Sequence, residues 1–188
     1  MGKYKIYKQV KNEMKSNIIL IGMPGAGKST IGVILAKAVK RPFIDTDLLI
    51  QQQENRFLQD IINNDGLKAF IKIEESIITG INAENHIIAT GGSAIYSKAA
   101  MEHLQNRGII VYLDLKLFQI QRRIKNIKNR GIALKDGQSL ESLYKERAPL
   151  YKSYADIVID CSHKHIETIV DEIKDKTGAW FLRDCKDR

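Results

Sequence analysis

Nine consecutive residues near the start of the chain have the spacing of a phosphate-binding loop, G-x-x-x-x-G-K-S. The segment is Gly22-Met23-Pro24-Gly25-Ala26-Gly27-Lys28-Ser29-Thr30. Glycines allow the backbone to approach a polyphosphate closely, with successive N–H groups pointing into one anion site. Lys28 supplies a mobile cation for the outer phosphates, and the hydroxyl of Ser29 can bind Mg²⁺. These residue types therefore predict binding of a polyphosphate and magnesium.

The loop lies between a strand and a helix, which is the context that this motif requires. An apolar run over residues 18–21 is typical of a strand buried on both faces. After the loop, apolar residues recur at helical spacing, at Ile31, Leu35, Ala38 and Val39. A helix that opens at Lys28 adds the partial positive charge of its N-terminus to the anion site. This context favours a functional phosphate site over a chance glycine turn.

Two acidic residues, Asp45 and Asp47, follow a second short strand predicted within residues 41–47. Residues two apart in an extended chain project to the same side, so both carboxylates can face one site. Beside a polyphosphate they can bind Mg²⁺ or hydroxyl groups. Asp47 can also cap a helix that begins at Leu48, and the two roles do not exclude each other.

Two later segments have features of a substrate site. Gly91-Gly92-Ser93 follows an apolar strand over residues 87–90, and paired glycines at a strand end indicate either the close approach of a ligand or a plain tight turn. Residues 126–138 lack periodicity, contain two glycines and are rich in cations. This composition favours a mobile lid that closes over phosphates, with a solvated loop as the alternative. Arg130 is the arginine best placed to neutralise phosphate charge from the lid.

Buried strands alternate with helices along the chain, and the last two strands are predicted at residues 109–114 and 156–160. This alternation predicts the α/β class, as a three-layer sandwich with a parallel sheet between helices and the ligand at the carboxyl ends of the strands. We predict one domain over residues 17–176, with a basic extension at 1–16 and an appendage at 177–188.

Three helices carry more specific predictions. Pro149 is expected to kink or end the helix that starts at Leu140. The closing helix is predicted over residues 164–176, so Trp180 and Phe181 fall in the appendage. The helix before the second buried strand is expected to turn an apolar face inward, formed by Phe70, Ile73, Ile77 and Ile81.

The net charge of +8 is concentrated in two segments, since residues 1–15 carry +4 and residues 121–135 carry +6. Nucleic-acid binders more often spread cations over one folded face, so we expect no nucleic-acid partner. No apolar stretch approaches the roughly 20 residues of a membrane span, so we expect a cytoplasmic protein without membrane contact. We also expect a monomer. Cys161 and Cys185 are too few for a disulfide framework and are predicted to be reduced.

A phosphate-binding loop alone fits hydrolases, motors, switches and kinases. The chain of 188 residues is short for a motor, and no second motif would recognise a guanine base. The remaining possibility is phosphoryl transfer to a small molecule. In this reaction, catalysis consists mostly of positioning and charge neutralisation.

Taken together, these segments resemble the shikimate kinase family over about residues 17–174. The resemblance implies a nucleoside-monophosphate-kinase-like P-loop fold with a central five-stranded parallel sheet and a mobile lid at about 126–138. It also implies transfer of the γ-phosphate of ATP to the 3-hydroxyl of shikimate, a step of aromatic amino-acid biosynthesis. The segments that carry it are Gly22 to Thr30, Asp45-Thr46-Asp47, Thr90-Gly91-Gly92, the basic stretch around Arg130, and Arg147-Ala148-Pro149-Leu150-Tyr151 followed by Ala155-Asp156.

The resemblance further implies roles for individual residues. Ser29 would bind Mg²⁺ directly and Asp45 would bind it through water. Asp47 would bind the substrate hydroxyls and accept a proton, and it would form the catalytic set together with Lys28 and Arg130. Arg147 would bind the substrate carboxylate beside Gly91 and Gly92, and residues near Cys161 to His163 would border the adenine. The ATP phosphates would be held by Gly25, Ala26, Gly27, Lys28, Ser29 and Thr30, with Arg130 from the lid.

Three residues depart from the family pattern on the acceptor side. Ile71 stands where the family has a second carboxylate-binding arginine, Leu67 stands where it usually has Glu, and Ser93 replaces a third glycine. Lys68, one helical turn before Ile71, could reach the carboxylate as a point charge. Two alternatives therefore stay open: a kinase of the same fold that acts on another small hydroxylated metabolite, and a non-catalytic nucleotide-binding module.

Overall fold

The computed structural model describes residues 15–124, 132–133 and 137–184. Within them, five parallel strands form one sheet in the order β2-β3-β1-β4-β5. Most of the predicted lid, including Arg130, lies outside the described residues, as do most of the N-terminal extension and Cys185. The strands are β1 (Asn17–Ile21), β2 (Phe43–Asp45), β3 (Ile87–Ala89), β4 (Gly108–Asp114) and β5 (Ile157–Asp160).

Helices connect the strands and cover the sheet, which confirms the predicted α/β class. Connections of this kind are required because parallel neighbours cannot be joined by a tight turn. The described helices are α1 (Lys28–Val39), α2 (Thr46–Glu54), α3 (Leu58–Asp65), α4 (Leu67–Thr79), α5 (Lys98–Arg107), α6 (Leu117–Arg123), α7 (Leu140–Tyr154) and α8 (Ile166–Asp184).

The core has two parts. The larger part surrounds the sheet, and its central strand β1 is buried along its whole length, as its continuous apolar run predicts. A smaller apolar cluster lies under α2, α3 and α4 and also contains Ala133 from the far side of the cleft. This cluster is formed by Ile50, Leu58, Ile61, Phe70 and Ala133.

One helix continues through a proline, and another is longer than predicted. Helix α7 continues through Pro149 to Tyr154, because Tyr151 beyond the proline is fully buried and holds the last turn in place. Helix α8 does not end at residue 176: Thr177 is buried, and Trp180 and Phe181 pack against the core. The Lys15 ammonium lies 5.8 Å from the Trp180 ring centroid, so these aromatic residues also contact the start of the domain.

The buried face of α4 differs from the prediction. Ile73 and Ile77 are only partly buried and pack against the smaller cluster. The fully buried residues of the helix are instead Phe70, Glu74 and Ile78, which recur at a spacing of four. A carboxyl group therefore occupies the centre of the inward face.

Candidate active site

A cleft opens at the carboxyl end of β1, where the phosphate-binding loop joins α1. Most of the residues that the sequence singled out line it. Arg123 and Ala133, which the sequence did not single out, line it as well. The predicted site residues on its wall are Gly25, Gly27, Lys28, Ser29, Thr30, Asp47, Gly92 and Arg147.

Three predicted site residues with described positions do not line this cleft. Ala26 is fully buried behind the loop, with its N–H donating to the Met23 carbonyl over 3.0 Å. Asp45 and Gly91 are also buried and lie one layer behind the wall.

The loop has the backbone geometry of an anion site. Gly25 and Gly27 adopt φ angles of 79° and 100°, in the left-handed region that favours glycine. Gly27 precedes α1, and no side chain caps that helix. The first N–H groups of α1 are therefore available to an anion in the cleft.

Lys28 folds back onto its own loop. Its Nζ donates hydrogen bonds to the carbonyl oxygens of Gly22 at 2.8 Å and Met23 at 3.2 Å. Burial lowers the pKa of this ammonium group, while the nearby carboxylates of Asp47 and Asp45 oppose that shift. A cation is thus held against the loop with two acids close by.

The two acids are placed by a helix start rather than by an extended strand. Asp45 is the N-cap of α2, and its Oδ1 accepts a hydrogen bond from the Asp47 N–H over 3.0 Å. Helix α2 begins at Thr46, so the predicted start at Leu48 with Asp47 as cap is wrong. Because Asp47 lies in the first helical turn, its carboxylate reaches the cleft wall while Asp45 stays behind it.

Arg147 is fully buried and lines the cleft. Its guanidinium group donates hydrogen bonds from Nε to the Tyr96 hydroxyl at 3.1 Å, from Nη1 to the Gly92 carbonyl at 3.0 Å and from Nη2 to the Ala133 carbonyl at 2.7 Å. The Gly92 carbonyl also accepts a hydrogen bond from Tyr151 over 2.7 Å. These contacts fix the guanidinium group and the glycine turn relative to each other.

Glu74 is a buried acid that sequence reasoning missed. It is 1% exposed, and the Ser93 hydroxyl donates a 2.6 Å hydrogen bond to its Oε2. Burial raises the pKa of Glu74 to about 7 and that of Asp47 to about 6. The sequence does contain a signal, because Glu74 lies four residues from both Phe70 and Ile78 on an otherwise apolar stripe.

Other predicted contacts are absent from the cleft wall. Ile71 and Lys68 do not line it, and Lys68 is exposed. Cys161 and His163 do not line it either, whereas Ile166 and Ile169 do, beside Arg123. Burial raises the pKa of the Cys161 thiol to about 12, so this free cysteine stays protonated at neutral pH.

The described residues do not form a metal site by themselves. Among them, no group of three or more His, Cys, Asp or Glu side chains could hold an ion. Magnesium in phosphate sites is typically bound by only one or two protein ligands together with phosphates, so the hydroxyl group of Ser29 on the cleft wall suits it, whereas Asp45 lies behind that wall. None of the described helices has both the length and the apolar character needed to span a membrane.

The parallel sheet, the phosphate-binding loop after its central strand, and the acid and arginine across the cleft define a P-loop kinase. The family model for shikimate kinase matches residues 24–177. The chain belongs to the shikimate kinase family and is therefore an ATP-dependent kinase.

Individual relatives agree with this assignment. The shikimate kinase of Francisella tularensis subsp. holarctica is 40% identical over 161 residues, which cover 84% of this chain and 92% of that protein. The structure of shikimate kinase from Acinetobacter baumannii in complex with shikimate superposes with a TM-score of 0.79 at 31% identity, covering 86% of this chain and 92% of that one. The shikimate kinase structure from Aquifex aeolicus superposes with a TM-score of 0.72 at 29% identity, covering 84% of this chain and 93% of that one.

Proposed function

We propose that this protein transfers the γ-phosphate of ATP to the 3-hydroxyl group of shikimate. The observation that carries the proposal is the convergence of Lys28, Asp47 and Arg147 on one cleft of a chain from this family. A nucleotide-binding module without catalysis would need the phosphate-side lysine but not the acceptor-side acid and arginine.

On the nucleotide side, the open N-terminus of α1 and the left-handed glycines fit the phosphates of ATP. Lys28 would exchange its bonds to the loop carbonyls for phosphate oxygens. Ser29 would bind Mg²⁺ directly and Asp45 would bind it through water, and the ion would supply charge neutralisation for the outer phosphates. Arg123, whose Nη1 lies 3.3 Å from the Ala26 carbonyl, borders the loop and can face the nucleotide. We also propose that Arg130, from the lid, neutralises phosphate charge.

On the acceptor side, Arg147 retains binding capacity. Its three hydrogen bonds leave one N–H on each terminal nitrogen without a partner among the described residues. Two N–H groups on neighbouring nitrogens match a carboxylate in bidentate geometry. We propose that they bind the shikimate carboxylate and that Gly91 and Gly92 shape the wall beside the ring.

Asp47 would accept a hydrogen bond from the reacting hydroxyl and take its proton as the phosphoryl group is transferred. Lys28 lies close enough for its charge to affect Asp47, so one cation can stabilise both the carboxylate and the developing phosphate charge. The buried position of both groups strengthens these interactions relative to water.

The direct test is an ADP-release assay with ATP, Mg²⁺ and shikimate. We expect turnover well above the ATPase background, and turnover at background would reject the proposal. A panel of other small hydroxy acids in the same assay tests the alternative acceptor. Lys68→Ala is expected to leave the KM for shikimate unchanged, because Lys68 is exposed and does not line the cleft. A raised KM for shikimate would indicate that Lys68 binds the substrate carboxylate in place of the missing arginine.

We further propose a cytoplasmic monomer that binds no nucleic acid and no membrane, with one catalytic domain that begins at residue 17 and includes the whole of α8. The charge pattern of the sequence supports the absence of a nucleic-acid partner. Light scattering of the full chain tests the oligomeric state.

A further inference from the structure

Glu74 lies behind the acceptor side of the cleft and has no role in the mechanism above. Only Oε2 of its carboxyl group has a partner, the Ser93 hydroxyl. Oε1 is buried and accepts no hydrogen bond from any described residue. Buried polar atoms without a hydrogen bond are rare in folded proteins, so this oxygen requires an explanation.

The carboxyl group of Asp47 is its neighbour. Both groups border the position that a β-carbon on Gly91 would occupy: Glu74 Oε1 overlaps that position, and Asp47 Oδ1 lies 2.7 Å from it. A glycine is therefore needed for the two carboxyl groups to come this close. In the part of the chain that the structure describes, no donor forms a hydrogen bond with the Asp47 side chain.

Two carboxylates in such a place repel each other, whereas one proton between them converts the repulsion into a hydrogen bond. The other charged groups that act on Glu74 are Arg147 from α7 and Lys28 from α1, and both favour its ionised form. Burial outweighs them and raises the pKa of Glu74 to about 7. Because Glu74 lies behind the cleft wall, whereas Asp47 lines the cleft close to the charge of Lys28, a proton between the two carboxyl groups would belong to Glu74.

We propose that Glu74, as a carboxylic acid, donates a hydrogen bond from Oε1 to Asp47 Oδ1 and thereby holds Asp47 in position for the acceptor hydroxyl. The inference rests on the proposed function, in which Asp47 meets that hydroxyl. Glu74 is a positioning residue because it does not line the cleft. Its proton remains on Glu74 during turnover, and Asp47 Oδ2 stays available to the substrate.

Three variants test the hydrogen bond. Glu74→Gln keeps the shape of the side chain and places an amide N–H donor opposite Asp47, whereas Glu74→Met keeps the volume and removes the donor. We expect kcat within about threefold of wild type for Glu74→Gln and a loss of roughly 10- to 100-fold for Glu74→Met, with the KM for ATP unchanged. Ser93→Ala removes the bond to Oε2 and a hydroxyl group from the cleft wall, and it should lose less than Glu74→Met. Thermal unfolding checks that each variant is folded.

Three results would overturn the inference while leaving the proposed function intact. The first is full activity of Glu74→Met, and the second is a loss in Glu74→Gln as large as in Glu74→Met. The third is an equally large loss in Ser93→Ala, which would mean that Glu74 acts through Ser93. Absence of shikimate turnover in the wild type would instead reject the proposed function.

Infrared spectroscopy of the ligand-free protein tests the hydrogen bond between Glu74 and Asp47 independently of turnover. At about pH 7, where about half of Glu74 is protonated and most of Asp47 is ionised, we expect a carboxylic-acid C=O band that disappears in Glu74→Gln. The same band should shift in Asp47→Asn, because the hydrogen-bond acceptor changes from a carboxylate to an amide. A missing band, or one that Asp47→Asn leaves unmoved, overturns the inference.

Discussion

Two charged residues that line the cleft, Lys28 and Arg147, are buried, and so is Glu74 behind the cleft wall. Each has polar hydrogen-bond partners, which offset the cost of removing a polar or charged group from water. Arg147 donates three hydrogen bonds to other groups of the protein, and Lys28 donates two. At the residue scale, the site is thus preorganised in the absence of substrate, and single substitutions should separate nucleotide binding from acceptor chemistry.

Lys28→Ala is expected to lower kcat by roughly 10²- to 10³-fold, because it removes positive charge that is needed in the transition state. The fold should persist, since the side chain contacts only two carbonyl oxygens of a loop. Steady-state kinetics measure the effect. Lys37→Ala, an exposed lysine on the same helix, serves as the control and should behave as wild type.

Asp47→Asn should lower kcat by roughly 10²- to 10⁴-fold, because the amide cannot accept the proton of the hydroxyl. The Kd for ATP, measured by calorimetry, should stay within about threefold of wild type. Asp60→Asn, at an exposed position of α3, provides the matched control. If ATP binding were lost instead, the acceptor-side role of Asp47 would be wrong.

At the scale of elements, helix starts and ends decide where side chains lie. Asp45 is the N-cap of α2, so the helix begins at Thr46. Asp47 therefore lies in its first turn, where its side chain reaches the cleft. Helix α8 extends to Asp184, and Trp180 and Phe181 pack edge to face with ring centroids 5.3 Å apart. Arg41 lies 5.2 Å from the Phe181 ring centroid and donates a hydrogen bond to the Ser16 carbonyl, so the end of α8 is joined to the start of β1.

Trp180→Ala should therefore lower the free energy of unfolding by about 1–3 kcal/mol, through lost packing and a lost cation–π contact with Lys15. Denaturant unfolding measures it. Leu182→Ala removes an apolar residue that is 69% exposed on the same helix and should change stability by less than about 0.5 kcal/mol. Equal effects of the two substitutions would show that residues 177–184 behave as an appendage after all.

At the scale of the whole molecule, the cleft is lined by residues of both apolar clusters. Phe70 and Ala133 belong to the smaller cluster, and Ile31 and Ile169 belong to the larger one. Ionisable groups that are buried between such clusters link the stability of the entire fold to pH. Glu74 contributes most directly, because its pKa lies well above its ordinary value of 4.5.

The free energy of unfolding should fall as pH rises from about 4.5 to about 7, since the folded protein keeps a proton on Glu74 that the unfolded chain releases. The expected contribution is roughly 3 kcal/mol. Glu74→Gln removes it, so the variant should be more stable than wild type at pH 8 and closer to it at pH 5. Denaturant titrations across this range measure the difference, and parallel pH profiles for both proteins would contradict it.

The nucleotide side of the site and the class of fold were determined by the sequence alone. A phosphate-binding loop is one contiguous segment, and strands buried on both faces show as continuous apolar runs, so local pattern suffices for both. The order β2-β3-β1-β4-β5 and the exact ends of α2, α7 and α8 were not predictable in this way. They depend on packing between segments that are distant in the chain.

The acceptor side was decided by the tertiary structure. Glu74 is a neighbour of Asp47 only because the fold places α4, α2 and the turn at Gly91 next to one another. Likewise, the partners of Arg147 come from Tyr96, Gly92 and Ala133, none of them closer than 14 residues in the chain. Sequence spacing encodes contacts along one segment, whereas a buried charge is satisfied by whichever groups the fold brings to it.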